Sequence, residues 1–129
     1  MREILYRGKR IDNGEWAYGY LVEALDCVTD KNETFIIEQD ATYFTHGEFA
    51  CAVEVKPETV GQFTGILDKR GRKIFESDIV ESPRGTRGFV EWQYAECAFL
   101  VCIGDDWQTM DDCTYEVIGN IYDNEEEEE

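Results

Sequence analysis

Short apolar segments separated by polar turns recur along this chain, the pattern of short β-strands, and no stretch carries the roughly 3.6-residue apolar period of a long helix. The first segment reads as a hairpin: Ile4-Leu5-Tyr6-Arg7, a turn at Asp12-Asn13-Gly14, and a return strand from Glu15 to Val22. Asn-Gly predicts a type I′ turn, because both residues accept the positive φ angles it requires. On the return strand Trp16, Tyr18, Tyr20 and Val22 share one face, which is expected to be core or a sheet-packing surface. Ala24 to Asn32 is polar and Asp30 to Glu33 reads as a turn, followed by a short strand from Thr34 to Ile37. A further strand around Phe49 to Val55 comes after the Thr45-His46-Gly47 turn.

Pro57 opens a second block. Val60 to Ile66 and Arg72 to Phe75 read as the arms of a hairpin with the polar tip Asp68-Lys69-Arg70-Gly71, and Glu76-Ser77-Asp78 turns the chain into Ile79-Val80-Glu81. Pro83 to Gly88 is a loop by composition. Phe89 to Trp92, Cys97 to Ile103 and Tyr115 to Ile121 complete the strand candidates. Short strands spaced by about 8–12 residues, with turn signals between them, predict a small sandwich or barrel.

The length of 129 residues suits one domain or two small modules, and 43% hydrophobic with 13% aromatic residues suffices for a core despite 32% charged content. The net charge of -17 changes the picture more. Setting aside Asp123 and Glu125 to Glu129 leaves 23 acids against 12 bases, so the body alone carries -11. Polyanions bind through Lys and Arg that release counterions, so direct nucleic-acid binding is not expected. The longest apolar run, Cys97 to Ile103, is far short of the roughly 18 residues of a membrane span, and Met-Arg-Glu-Ile has no signal-peptide h-region. A soluble cytoplasmic protein is the expectation. Five cysteines, at 27, 51, 97, 102 and 113, are odd in number and form no C-x-x-C pair, which predicts reduced thiols and no zinc site.

Candidate chemistry is sparse. The glycines make neither G-x-G-x-x-G nor a P-loop, Ser77 and Ser82 do not sit in G-x-S-x-G, and His46 is the only histidine. No catalytic residue, cofactor or metal site is assigned. Asp105-Asp106 and Asp111-Asp112 read as solvated loop charge, with a hard-cation site as the lesser alternative. Lys69, Arg70, Arg72, Lys73, Arg84 and Arg87 are the one basic concentration, read as solubility or edge-protecting charge or else an anion or self-association site. In Glu91-Trp92-Gln93-Tyr94 and the loop Asp105-Asp106-Trp107, aromatics stand beside acids. That combination suits a groove for a cationic partner, so Glu91, Trp92, Tyr94, Asp105, Asp106 and Trp107 are the candidate partner-binding residues. The opposing expectation is that Trp92 and Trp107 are core anchors.

The run from Val60 to Val80, with Gly61, Gly65, Gly71 and Asp78, resembles the central signature of the YopX family of phage and prophage proteins. Arg2-Glu3-Ile4 with Tyr6-Arg7-Gly8-Lys9 is similar to the family's opening, and Glu116 to Asn124 to its closing strand. Where the family pattern has Gly before the turn Asp, this chain has Ser77. The resemblance implies a mainly β protein with an SH3-like small β-barrel, and it carries over no catalytic residue. The expected organisation is therefore an N-terminal β-hairpin region at 1–56 packed beside a barrel at 57–122, then an acidic tail at 123–129. The expected function is a non-catalytic interaction module for an unknown, basic protein partner in the bacterial host cytoplasm. The alternatives are an acidic DNA mimic acting against host defence and a small metal-dependent enzyme.

Overall fold

The computed structural model describes residues 4–26, 31–38, 52–104 and 106–123. Antiparallel strands dominate, and the helical segments among the described residues are a 3-10 turn at Pro57–Thr59 and one turn at 121–123. No helix among them is long and apolar enough to cross a membrane. The chain divides into two compact units, Ile4–Gln62 and a second beginning at Phe63.

In the first unit β1 (Tyr6–Lys9), β2 (Trp16–Asp26), β3 (Lys31–Glu38) and β4 (Ala52–Glu54) pair in the order β4-β3-β2-β1. The start of β5 (Gly61–Leu67) adds to β1 through Arg7–Gly61 and Tyr6–Gln62. Ala17, Ile36 and Val55 form the core, with Tyr6, Leu21, Val53 and Val60 against it. Gly8 lets β1 approach that core, since a Cβ there would stand 2.9 Å from Val55 Cγ2.

Three features of the first unit differ from the expected ones. The hairpin at Asn13-Gly14 forms, but its turn is not type I′: Gly14 has φ +72° while Asn13 stays out of the left-handed region. The Asn13 Oδ1 instead accepts the Glu15 N–H at 2.9 Å, a local bond that holds the backbone without a second positive φ. The polar stretch from Ala24 is strand on both sides of 27–30, paired from Gly19–Glu38 to Asp26–Lys31, so ladder pairing overrides side-chain polarity. The row on β2 is not core, because Ala17 and Leu21 take the buried face, leaving Tyr18 43% and Tyr20 56% exposed on the other. Trp16 lies half-buried under the Arg7 guanidinium, 4.5 Å from its ring centroid, and under Lys9 Nζ at 5.7 Å. Both contacts are in cation–π range. Cys27, His46 and Cys51 lie outside the described residues.

In the second unit β5 continues into a hairpin with β6 (Lys73–Phe75), paired through Phe63–Phe75 and Leu67–Lys73. β7 (Asp78–Glu81), β8 (Arg87–Gln93), β9 (Ala98–Ile103), β10 (Asp106–Thr109) and β11 (Glu116–Asn120) form a five-stranded sheet in the order β10-β9-β8-β7-β11. Among the described residues no ladder joins β10 to β11, so the sheet has two edges. Ile74, Val80, Val90, Val101, Met110 and Tyr115 make the core, with Ile66, Phe99, Ile103 and Val117 packed against it. Gly88 belongs to the same face, where a Cβ would run into the Cys102 carbonyl oxygen. Asp106–Thr109, expected as loop, is strand.

The β5–β6 tip is not free polar charge. Asp68 is fully buried, and its Oδ1 accepts the Arg70 and Arg72 N–H groups at 2.9 and 2.8 Å. Its Oδ2 accepts Arg72 Nε at 3.1 Å and the Val117 N–H of β11 at 3.2 Å. Burial pushes this carboxyl's pKa up, but bonds from the Arg72, Val117 and Arg70 backbone and the Arg72 charge outweigh it and leave the pKa below 3.8. Arg72 Nη2 donates to the Val117 carbonyl at 2.7 Å, and Lys69 and Arg70 both reach Glu116, at 3.3 and 2.9 Å. The Lys69 N–H donates to the Tyr115 carbonyl at 2.8 Å. Arg87 pairs with Glu81 at 2.9 Å. Most of the basic concentration is therefore spent holding this unit together.

The following turn uses Asp78, only 2% exposed, to accept the Phe75 N–H at 2.7 Å. Ser77 takes φ +75° there, a conformation that glycine adopts without strain. At the chain's far end Asn120 Oδ1 accepts the Tyr122 and Asp123 N–H groups at 3.1 and 2.9 Å, capping the turn at 121–123 as N-terminal Asn does.

Candidate functional site

Three strands position the candidate residues. β8 and β9 are joined by the turn 94–97, closed by the Cys97 N–H donating to the Tyr94 carbonyl at 3.3 Å, with Cys97 at φ +52°. β9 and β10 pair from Ile103–Asp106 to Leu100–Thr109, leaving a two-residue connector at 104–105 whose Gly104 has φ +60°. A positive φ at the first connector position suits the right-handed twist of a tight hairpin. The registers then fix the faces, since side chains alternate along each strand. Trp92 stands opposite Phe99, and Trp107 opposite Cys102.

The proposed cluster is thereby divided. Trp92 shares the core face with Val90, Phe99 and Val101; its ring lies 5.0 Å from Phe99 and 6.2 Å from Tyr94, both edge-on. Trp107 takes the opposite face beside Leu100 and Cys102, and is 43% exposed. Glu91 points to that same outer face opposite Leu100, and Tyr94 projects from the turn at 86% exposure. Asp106 is exposed at the start of β10, and Asp105 lies outside the described residues. The five described candidates thus do not share one face. Trp92 is a core-face residue, Glu91 and Trp107 share the outer face, Asp106 lies on the opposite face of β10 from Trp107, and Tyr94 projects from the turn.

Sequence reasoning missed the residues that shape the surface beside Trp107. Gln93, Ala95, Glu96, Leu100 and Thr109 join it around an open cavity of about 310 Å³. A second hollow of about 340 Å³ includes Ile66, Trp92, Cys97, Phe99 and Met110. Gly104-Asp105 is itself a recognised two-residue hairpin signal, and it could have revealed β10 as a strand. The charge environment was also legible but unread: from Gly88 to the last residue there is no Lys, Arg or His. Eight acids fall between Gly88 and Asp123.

Residues behind β10 hold it in place. The buried Tyr115 hydroxyl donates to Gln108 Oε1 at 3.2 Å, and burial, with the Asp111 charge adding, raises its pKa above 10.0. Asp112 Oδ1 accepts the Leu67 N–H at 2.9 Å, so this acid is a turn anchor. Among the described residues no group of three His, Cys, Asp or Glu side chains could hold a metal ion. Cys97 and Cys113 are exposed, and Cys102 is half-buried.

These features define a two-unit antiparallel β protein that presents an exposed tryptophan on an acidic edge strand. The family model described as YopX protein matches residues 5–127, nearly the whole chain, and the protein belongs to the YopX family. No curated protein matches the sequence.

Proposed function

We propose that the protein is a non-catalytic interaction module of a phage or prophage, working in the bacterial host cytoplasm on a basic protein partner. The observation that carries this reading is Trp107. It lies 43% exposed in a folded strand, beside a cavity of about 310 Å³ rimmed by Glu96, with Glu91 on the same face. A large aromatic beside acids offers contact area at low entropy cost and favours cations. Residues 57–122 are read as an SH3-like small barrel, a reading supported by the β5–β6 hairpin, whose Ile66 and Ile74 pack with Val80, Val90 and Val101 of the five-stranded sheet.

The test is titration of Lys- and Arg-rich protein fragments into the protein at 0.1 M and 1 M salt, on wild type and on Trp107→Ala. Screening lengths shrink from about 10 Å to about 3 Å over that range, so binding should weaken strongly with salt. Trp107→Ala should bind at least about fivefold more weakly, equivalent to about 1 kcal/mol, while melting like wild type. Fragments that bind equally well at both salts and to the folded variant would remove this surface from consideration.

A further inference from the structure

The two edges of the five-stranded sheet are treated differently. At β11 the outward N–H and C=O of Val117 are taken by Asp68 and Arg72. At β10 all four residues are exposed, and among the described residues no strand pairs on its outer side. Uncovered edges invite strand addition, and folded proteins ordinarily cover or blunt them. We propose that β10 is a strand-addition site for an extended basic segment of the partner, a reading that rests on the interaction surface proposed above and specifies how it is used.

Backbone alternation gives the site its donors and acceptors. In a hairpin with a two-residue connector the flanking pair, here Ile103–Asp106, exchanges hydrogen bonds, and the next pair does not. Trp107 and Thr109 therefore turn their N–H and C=O groups to the open side. An added strand bonds to those two residues and sets alternate side chains against the Trp107 and Leu100 side of the sheet. Main-chain bonds supply affinity in this mode and side-chain pockets supply selection.

Charge decides the occupant. β10 starts with Asp106, Asp111 and Asp112 follow it, Glu91 and Glu96 lie on neighbouring elements, and no base occurs after Arg87. A second copy would set one base-free acidic edge against another, and like charges across paired strands are destabilising. An extended segment alternating Lys or Arg with apolar residues fits this edge: side chains alternate across the sheet, so apolar ones set toward Trp107 leave the cations on the Asp106 face.

Peptide titration tests this directly. The probes are an alternating lysine–valine hexapeptide, its glutamate–valine counterpart, and two lysine–valine versions N-methylated at every second residue in either phase. The lysine–valine peptide should bind at least tenfold tighter than the glutamate one, and N-methylation in one phase should cost at least tenfold more than in the other. Only strand pairing distinguishes the two phases, because N-methylation leaves the side chains unchanged. Thr109→Pro, which removes an outward N–H and leaves the β9 ladder intact, should melt as wild type and bind at least tenfold more weakly. Equal binding of both N-methylated peptides and the parent overturns strand addition while leaving a side-chain interaction surface standing. Absence of binding by the lysine–valine peptide up to about 1 mM overturns the basic-segment assignment. So does self-association of the protein that Thr109→Pro abolishes, which makes a second copy the occupant.

Discussion

β11 and β10 terminate the same sheet, yet only one of them is sealed. At β11 a buried carboxylate and an arginine satisfy Val117, while Lys69 and Arg70 hold Glu116. At β10 four exposed residues face outward within a stretch that carries no base. The bases sit where the fold needs them, and the acids are left where a partner can meet them. An exposed strand edge is a hazard unless it is used, so this asymmetry is an argument about function as much as stability.

The largest expected effect lies at the sealed edge. Asp68→Ala leaves three backbone N–H groups and the Arg72 side chain without their acceptor, and should cost about 3–5 kcal/mol in a denaturant melt. The pH dependence follows from the lowered pKa of Asp68. Its stabilisation is fully present above the unfolded value near 3.8 and is lost as pH falls through the lower folded value. The wild-type advantage over Asp68→Asn should therefore shrink below about pH 4. A constant gap down to pH 2 would contradict the role given to the charge.

The two tryptophans sharpen the contrast between faces. Trp92→Ala removes a ring packed at 5.0 Å on Phe99 and should cost about 3 kcal/mol, whereas Trp107→Ala at the open edge should cost less than about 1 kcal/mol. Equal losses in thermal melts would mean that Trp107 is a structural anchor after all. Ser77→Gly acts in the opposite direction. Relief of φ +75° at that turn should raise stability by about 1 kcal/mol, read as a higher denaturation midpoint.

The strands of the second block were legible because short apolar runs and Gly or Pro punctuation mark them, and the Asp68 to Gly71 turn closes its hairpin. What Asp68 does was hidden. Its partner on β11 is 49 positions away, and a local reading sees only a polar tip. The candidate surface was half legible for a related reason. Trp92 and Trp107 look alike as aromatics beside acids, and only the registers with Phe99 and Cys102 assign them to opposite faces. β10 itself was misread because Asp105-Asp106 suggested a loop, although Gly104 was the stronger signal. The β2 aromatic row misled in the other direction, since the small Ala17 and Gly19 take the buried side.

Native-state hydrogen exchange, resolved by residue, tests the asymmetry of the two edges most directly. The account predicts slow exchange at Val117, whose N–H is held by Asp68, and at Gln108 on the inner side of β10. It predicts fast exchange at Trp107 and Thr109, slowed when the lysine–valine peptide is bound. Trp107 and Thr109 amides as protected as Val117 in the free protein would mean that the β10 edge is already closed, and would contradict it.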